Sequence, residues 1–389
     1  MSAAAPKTGA RRLKVMTVLG TRPEVIKMSR ILAALDARTD HVLVHSGQNS
    51  DYELNQVFFD ELGLRPPDHV LGAVGETVAR TIGLVISRVD EVLASEKPDA
   101  VVLYGDTNTC LAVIPAKRRQ IPVFHLEAGN RSFDERVPEE INRRLVDHLA
   151  DINLPLTEHA RRYLLAEGIR PETVIKIGSP MREILDHYRP KIEASRVLEE
   201  LSLEPEDYFL VSAHREENVD PPERLLRLLD SLNGLAAHHG RRVIVSTHPR
   251  TRRRLEAAKG TAPLDPRVEF LKPFGFPDYV RLQTRAAVVL SDSGTLTEEA
   301  ALLGFPAVMF RDGHERPEGM DEAVCLMAGL GRERVLQAVE LALTQVRRPR
   351  DVLDYAGTDV SGKVVRIVLS YVDYVNRVVW RKEPDGRVP

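Results

Sequence analysis

Cysteine is almost absent: Cys110 and Cys325 are the two thiols in 389 residues. Two cysteines cannot build a disulfide framework, and such scarcity fits a reducing cytosol. Neither lies in a motif that would make it a nucleophile. No run of about 18 apolar residues exists, which excludes a membrane-spanning helix. Neither sign of charge dominates: 54 Lys and Arg against 57 Asp and Glu leave a formal net charge of −3. No general attraction to nucleic acid or anionic lipid is therefore expected, and anion recognition has to be local. The dinucleotide fingerprint G-x-G-x-x-G is missing, because Gly20 stands alone after the first apolar run, so no nicotinamide cofactor is expected. No close-set H-x-x-x-H pair appears, and no metal is expected. Met1 to Arg12 lacks an apolar h-region and reads as a loose polar tail, not a signal peptide.

What the chain does have is length and alternation. Its 43% hydrophobic content supports full burial, and 389 residues suit two domains better than one core. Apolar runs at Leu13–Leu19, His41–His45, Ala100–Tyr104, Pro122–His125, Ile152–Pro155 and Val174–Ile177 alternate with helical patterns. A second set follows at Tyr208–Ser212, Arg242–Ser246, Val268–Leu271, Ala287–Leu290 and Ala307–Phe310. Near-continuous apolar strands separated by helices predict an α/β chain with parallel sheets covered on both faces. Right-handed crossovers then give two doubly wound, Rossmann-like domains. A boundary is expected near Gly178-Ser179-Pro180. The spacing from Val360 to Arg381 fits a helix that could belong to either domain; taken as crossing back to the first, it divides the chain into 1–178 plus 366–389 and 179–365. Two such domains facing across a cleft resemble the GT-B architecture, with the active site between them.

Strand ends are where ligands sit in such sheets. From Glu127 to Arg144 nine ionisable side chains crowd into eighteen residues: Glu127, Arg131, Asp134, Glu135, Arg136, Glu139, Glu140, Arg143 and Arg144. That density points to proton transfer on an anionic substrate, and also fits a solvated loop laced with salt bridges. After the first strand, Gly20-Thr21-Arg22-Pro23-Glu24 opens a helix whose free amides, with Arg22 and Lys27, could take an anion. Ser291-Asp292-Ser293-Gly294-Thr295 is a second phosphate candidate, in which Ser293 and Thr295 offer hydroxyls and Gly294 lets backbone approach. Glu299 is placed to accept from ribose hydroxyls, while Thr295 and Glu298 alone would suit a capping box. His214 and His248 end two strands of one sheet. Asp106 closes another strand, either as an N-cap or as a carboxylate facing Glu127. Arg316 adds a guanidinium, and Tyr279 either packs in the core or lies near a nucleobase.

In order along the chain occur Gly20-Thr21-Arg22-Pro23-Glu24, Gly105-Asp106-Thr107, His125-Leu126-Glu127-Ala128-Gly129, Pro138-Glu139-Glu140-x-Asn142-Arg143, Gly178-Ser179-Pro180, His214-Arg215-x-Glu217, His248-Pro249, Ser291-Asp292-Ser293-Gly294, Glu298-Glu299 and Glu315-Arg316-Pro317-Glu318. From about Leu13 to about Leu343 the set resembles the non-hydrolysing UDP-N-acetylglucosamine 2-epimerases. The resemblance implies a cytoplasmic homodimer, without metal or cofactor, that inverts C2 of a UDP-2-acetamido sugar. The reaction it implies is anti elimination of UDP to a glycal, followed by re-addition. By motif match, Asp106, Glu127 and Glu139 are acid/base candidates and His214 assists near the leaving phosphate. Arg22, Lys27, Ser293, Gly294 and Arg316 match the diphosphate binders, Glu299 the ribose ligand, and His248 lines the site. The substrate-binding set expected also includes Arg143, Tyr279 and Thr295.

Two departures are informative. Thr295 and Thr297 stand where the family usually has a second glycine and a glutamine. Gly47-Gln48-Asn49-Ser50-Asp51-Tyr52-Glu53 replaces a Gln-His-Arg-like segment tied to allosteric activation. The forms Gly129–Glu140 and His314–Gly319 look like a branch acting on UDP-2-acetamido-2,6-dideoxy-L-talose to give UDP-N-acetyl-L-fucosamine. Rival readings are a GT-B glycosyltransferase and a hydrolysing 2-epimerase.

Overall fold

The computed structural model describes residues 11–47, 59–257 and 263–382. The first sheet contains β1 (Lys14–Leu19), β2 (Asp40–His45), β3 (His69–Val70), β4 (Ala100–Tyr104), β5 (Val123–Leu126) and β6 (Ile152–Leu154), in the order β3-β2-β1-β4-β5-β6. The second contains β7 (Tyr208–Ser212), β8 (Arg242–Ser246), β9 (Val268–Leu271), β10 (Val288–Ser291), β11 (Ala307–Met309) and β12 (Leu326–Met327), in the order β12-β11-β10-β7-β8-β9. All pairings are parallel. Counted within each half, both sheets have the order 3-2-1-4-5-6, so each reverses direction of build between its first and fourth strands.

The central strands are largely apolar because both faces are covered. Val15, Leu19, Val102 and Phe124 pack into one core, while Met16, Val18, Val101 and Val123 pack into another on the opposite face. The second sheet is clothed the same way, with Phe209, Val211 and Leu290 on one side and Tyr208, Leu210 and Val289 on the other. The helix Val360–Val378 lays Val364, Val368, Val372 and Val375 into the first sheet's core, together with Met181, Ile184 and Leu185 of the helix Met181–Glu193. Among the described residues no helix is long and apolar enough to cross a membrane.

One expected strand is corrected. Val174–Ile177 forms a single bridge to Asn153. Ile175 and Ile177 donate to the carbonyls of Asn153 and Pro155, at 2.9 and 3.0 Å. Pro155 has no N–H to donate back, so the ladder cannot continue. The short strands β3 and β12, of two residues each, were not anticipated, since so few residues show no periodicity.

Candidate active site

Both reversal points open toward the same seam. Lys27 Nζ, on the helix Arg22–Arg38, lies 3.2 Å from Glu298 Oε1 on the helix Thr295–Leu303. An Arg22 NH2 donates to the Phe274 carbonyl at 2.7 Å. Arg143 meets Glu315 at 2.7 Å, and Arg316 meets Glu127 at 3.0 Å. Each contact joins a residue of the first sheet's half to one of the second's.

Glu127 leaves β5 with φ 63°, a left-handed conformation that is costly for a residue with a Cβ. The loop is held there by a buried polar cradle. Asp147 accepts from Gly129 N at 3.1 Å and from Arg131 at 2.7 Å, and lies 2.8 Å from His125 Nδ1. His125, Arg131 and Asp147 thus build the loop instead of facing substrate. At Glu127 Oε2 three donors converge: Lys27 at 2.6 Å, the Tyr104 hydroxyl at 2.6 Å and Arg316 at 3.0 Å. Burial alone would raise this carboxyl, but Lys27 and Arg316 hold it far below the usual carboxylate range. Glu298, fully buried, balances the second positive charge through Lys27 and Arg316, and also accepts from the Ser179 hydroxyl. Two cations and two carboxylates therefore neutralise one another.

Asp106 follows β4, and Thr107 caps the short 3-10 helix Asn108–Ala112 in its place. Arg143, on the helix Pro138–Leu149, places Nε 2.7 Å from Asp106 Oδ2. The same guanidinium reaches Glu140 at 3.0 Å, and Asn142 donates to the Asp106 carbonyl at 2.9 Å. Pro138 starts this helix as expected, so Glu139, Asn142 and Arg143 lie on neighbouring turns of one side. Burial, and then the nearby Asp106 charge, push the Glu139 carboxyl upward. Asp106 and Glu127 end adjacent strands but belong to separate ion-pair clusters.

Across the seam, His214 Nδ1 lies 3.2 Å from Asp292 Oδ1. Asp292 is fully buried; the flanking His214 and hydrogen bonds from Arg215 N and Asn218 outweigh burial and hold it at about 2. An ionised Asp292 fixes the His214 ring and leaves Nε2 for another partner. The rings of His214 and His248 are 5.7 Å apart between centroids, and His248, lowered to about 4 by burial and by His214, is a neutral imidazole.

The segment after β10 carries Ser293 and Thr295, whose hydroxyls are 3.0 Å apart, and Gly294, on which a Cβ would stand 4.0 Å from an Arg215 NH2. Thr295 opens the helix instead of capping it, and Glu298 turns inward to Lys27 and Arg316, so the alternative of a Thr295–Glu298 capping box does not form. Burial raises Glu299 to about 7; it accepts from Gln283 Nε2 at 2.5 Å. Tyr279, half-buried, lies near Glu299 and Arg22, whose charges act on its hydroxyl.

One expectation is overturned by Glu24. The amides of Gly20 and Thr21 are not free for an anion, because Glu24 Oε2 takes both, at 2.7 and 3.1 Å. Its other oxygen accepts from Thr107 at 2.7 Å. Gly20 is required for tightness, since a Cβ there would meet Thr109 Oγ1 at 2.1 Å. Asp134, Glu135, Arg136 and Arg144 pair locally at the surface, so the ionisable run mixes site with scaffold. Residues 48–53, where a change in allosteric activation was expected, lie outside the described residues.

Glu24, Asp292, Glu298 and Glu315 stood inside motifs read from the sequence without a site role of their own, and Tyr104 was read only as the end of a strand. Asp292 carried a usable signal: β10 pairs with β7 through Ser291 and Ser212, so Asp292 and His214 emerge at the same sheet edge. Glu298 carried none, because Ser179 and Lys27 lie 119 and 271 residues away and Arg316 stands in a separate loop beyond β11.

Residues 33–369 match the family described as UDP-N-acetylglucosamine 2-epimerase. A solved UDP-N-acetylglucosamine 2-epimerase from Rickettsia bellii is 53% identical, with TM-score 0.89, covering 96% of this chain and 100% of that one. The Methanocaldococcus jannaschii UDP-GlcNAc 2-epimerase, solved in complex with UDP-GlcNAc and UDP, is 33% identical with TM-score 0.86 and covers 92% and 100%. A UDP-2,3-diacetamido-2,3-dideoxy-D-glucuronate 2-epimerase from Pseudomonas aeruginosa is 31% identical over 358 residues, 90% of this chain and 98% of its own.

Proposed function

This chain belongs to the UDP-N-acetylglucosamine 2-epimerase family, a family of isomerases, and we propose that it inverts C2 of a UDP-2-acetamido sugar without hydrolysing it. The carrying observation is that the carboxyls Asp106, Glu127 and Glu139 gather at the ends of the adjacent strands β4 and β5 and at the start of the next helix, with Lys27 and Arg316 holding Glu127 low and burial pushing Glu139 upward. A base and an acid in one cleft suit removal of a proton from one face and delivery to the other. C2 is not flanked by a carbonyl, so its proton is weakly acidic until the C1–O bond breaks. Departure of UDP builds oxocarbenium character at C1 and acidifies C2–H. His214, backed by Asp292, is proposed to assist the departing phosphate, with Asp106 and Glu127 as the further acid/base groups. Arg22, Ser293, Gly294, Thr295 and Arg316 are proposed to receive the diphosphate, Glu299 the ribose, and Tyr279 the base. Fixed donors at a developing anion contribute roughly 2.7–4 kcal/mol each, so three or four supply a large part of the catalysis.

Incubation of UDP-N-acetylglucosamine and of the 6-deoxy-L-talo sugar nucleotide in D2O tests this. Solvent deuterium is expected at C2 of the product; a converted product that keeps its C2–H would falsify the elimination route. Further parts of the proposal are a cytoplasmic location, supported by two unpaired cysteines, and a homodimer, supported by the exposed Ile141 and Leu145 on one helix. The domain division proposed is 1–178 plus 366–389 and 179–365, with the helix Met181–Glu193 as the joint packed on the first half.

A further inference from the structure

Glu315 takes no part in the reaction just described, yet it touches both halves of the machinery. It sits in the loop after β11 with a side chain 7% exposed. Oε2 receives Arg143 NH2 from the other half at 2.7 Å. Oε1 receives Arg311 at 2.9 Å and lies 3.5 Å from Arg215 NH1. Arg143, equally buried, is the residue that grips Asp106, with Nε and NH2 each 2.7 Å from Oδ2. Arg215 in turn donates from Nε to the Asp292 carbonyl at 3.0 Å. Burial would raise the Glu315 carboxyl, but Arg143, Arg215 and Arg311 keep it ionised.

A planar guanidinium presents N–H groups along several edges, and its plane is held most firmly when every edge has an acceptor. Within its own half, Arg143 has Asp106 and Glu140. The remaining contact comes from the opposite half, through Glu315. We propose that Glu315 is a positioning residue: across the seam it fixes the plane of Arg143 and, through it, the carboxylate of Asp106. The group holding Asp106 is therefore complete only when the two halves are together. This rests on the reading of Asp106 as an acid/base group in C2 epimerisation.

The test starts with the unaltered enzyme and the two sugar nucleotides named above. No turnover of either would overturn the functional reading and this inference with it. Given turnover, Glu315→Gln is expected to lower kcat by about 10- to 100-fold, the scale of a misplaced catalytic group, with KM and UDP affinity within about three-fold. A kcat like that of the unaltered enzyme would overturn the inference alone. In an Arg143→Lys background the same change is expected to cost less than about three-fold more, because the two residues act in series. A full, multiplicative loss there would also overturn it. Should Glu315→Gln not fold, Glu315→Asp keeps the charge but withdraws it by one methylene; a reduced kcat with unchanged KM supports the inference, and an unchanged kcat ends it.

Discussion

At the scale of single residues, Glu127 and Asp106 invite opposite expectations. Glu127 is one of two carboxylates neutralising Lys27 and Arg316 in a buried cluster. Glu127→Gln is expected to abolish most turnover and to cost about 3–5 kcal/mol, because a buried positive charge loses its partner. Asp106 is more open, with 19% of its side chain exposed. Asp106→Asn is expected to lower turnover by 10²-fold or about that, with a smaller change in melting temperature. Assays paired with thermal melts separate the two. Glu24 and Glu299 give a pH signature. Burial raises both to about 7 from 4.5. The folded state therefore holds protons that the unfolded chain has released. Their stabilisation is complete below about pH 4.5 and is lost as pH rises through 7, by about 3 kcal/mol for each group. Urea titrations of the ligand-free protein are expected to show stability falling from pH 5 to 7, and Glu24→Gln to flatten that slope. A steeper fall in the variant would count against Glu24.

At the scale of elements, the loop leaving β5 deserves the most direct test. Gly129 has φ 81°, and a Cβ there would stand 2.4 Å from the Ala160 carbonyl oxygen. Gly129→Ala is expected to cost at least about 2 kcal/mol, because strain and overlap with backbone add. A melting temperature within a degree of the unaltered protein would show that the loop yields. Elements were the most legible part of the sequence. Strands buried on both faces, such as Ala100–Tyr104 and Tyr208–Ser212, declare themselves as unbroken apolar runs. So did the helix start at Pro138 and the stop at Gly304. Illegible features depended on long-range partners. Glu24 is the exception: Thr21-x-x-Glu24 is a capping-box pattern, a local signal that was missed, and Glu24 does take the Thr21 amide. Nothing near Glu315 indicates a guanidinium 172 residues away. Strand-end position located the site residues, but pairing among them was fixed by the meeting of two sheets.

At the scale of the whole molecule, assembly can be measured directly. Ile141 and Leu145 are exposed, one turn apart, on the helix that carries Arg143. Light scattering is expected to give twice the 43.5 kDa of the chain, and Ile141→Glu with Leu145→Glu to give the single-chain mass. A single-chain mass for the unaltered protein would end the homodimer proposal. The repeated strand order has a consequence of its own. Because Lys27, Arg316 and Arg143 each have one carboxylate partner across the seam, parting the halves removes all three ion pairs at once. Water entering the gap raises the local dielectric constant and weakens whatever attractions survive. Opening should then behave as a threshold event, with few half-open states, and the glycal of the proposed route would meet either a shut chamber or an open door.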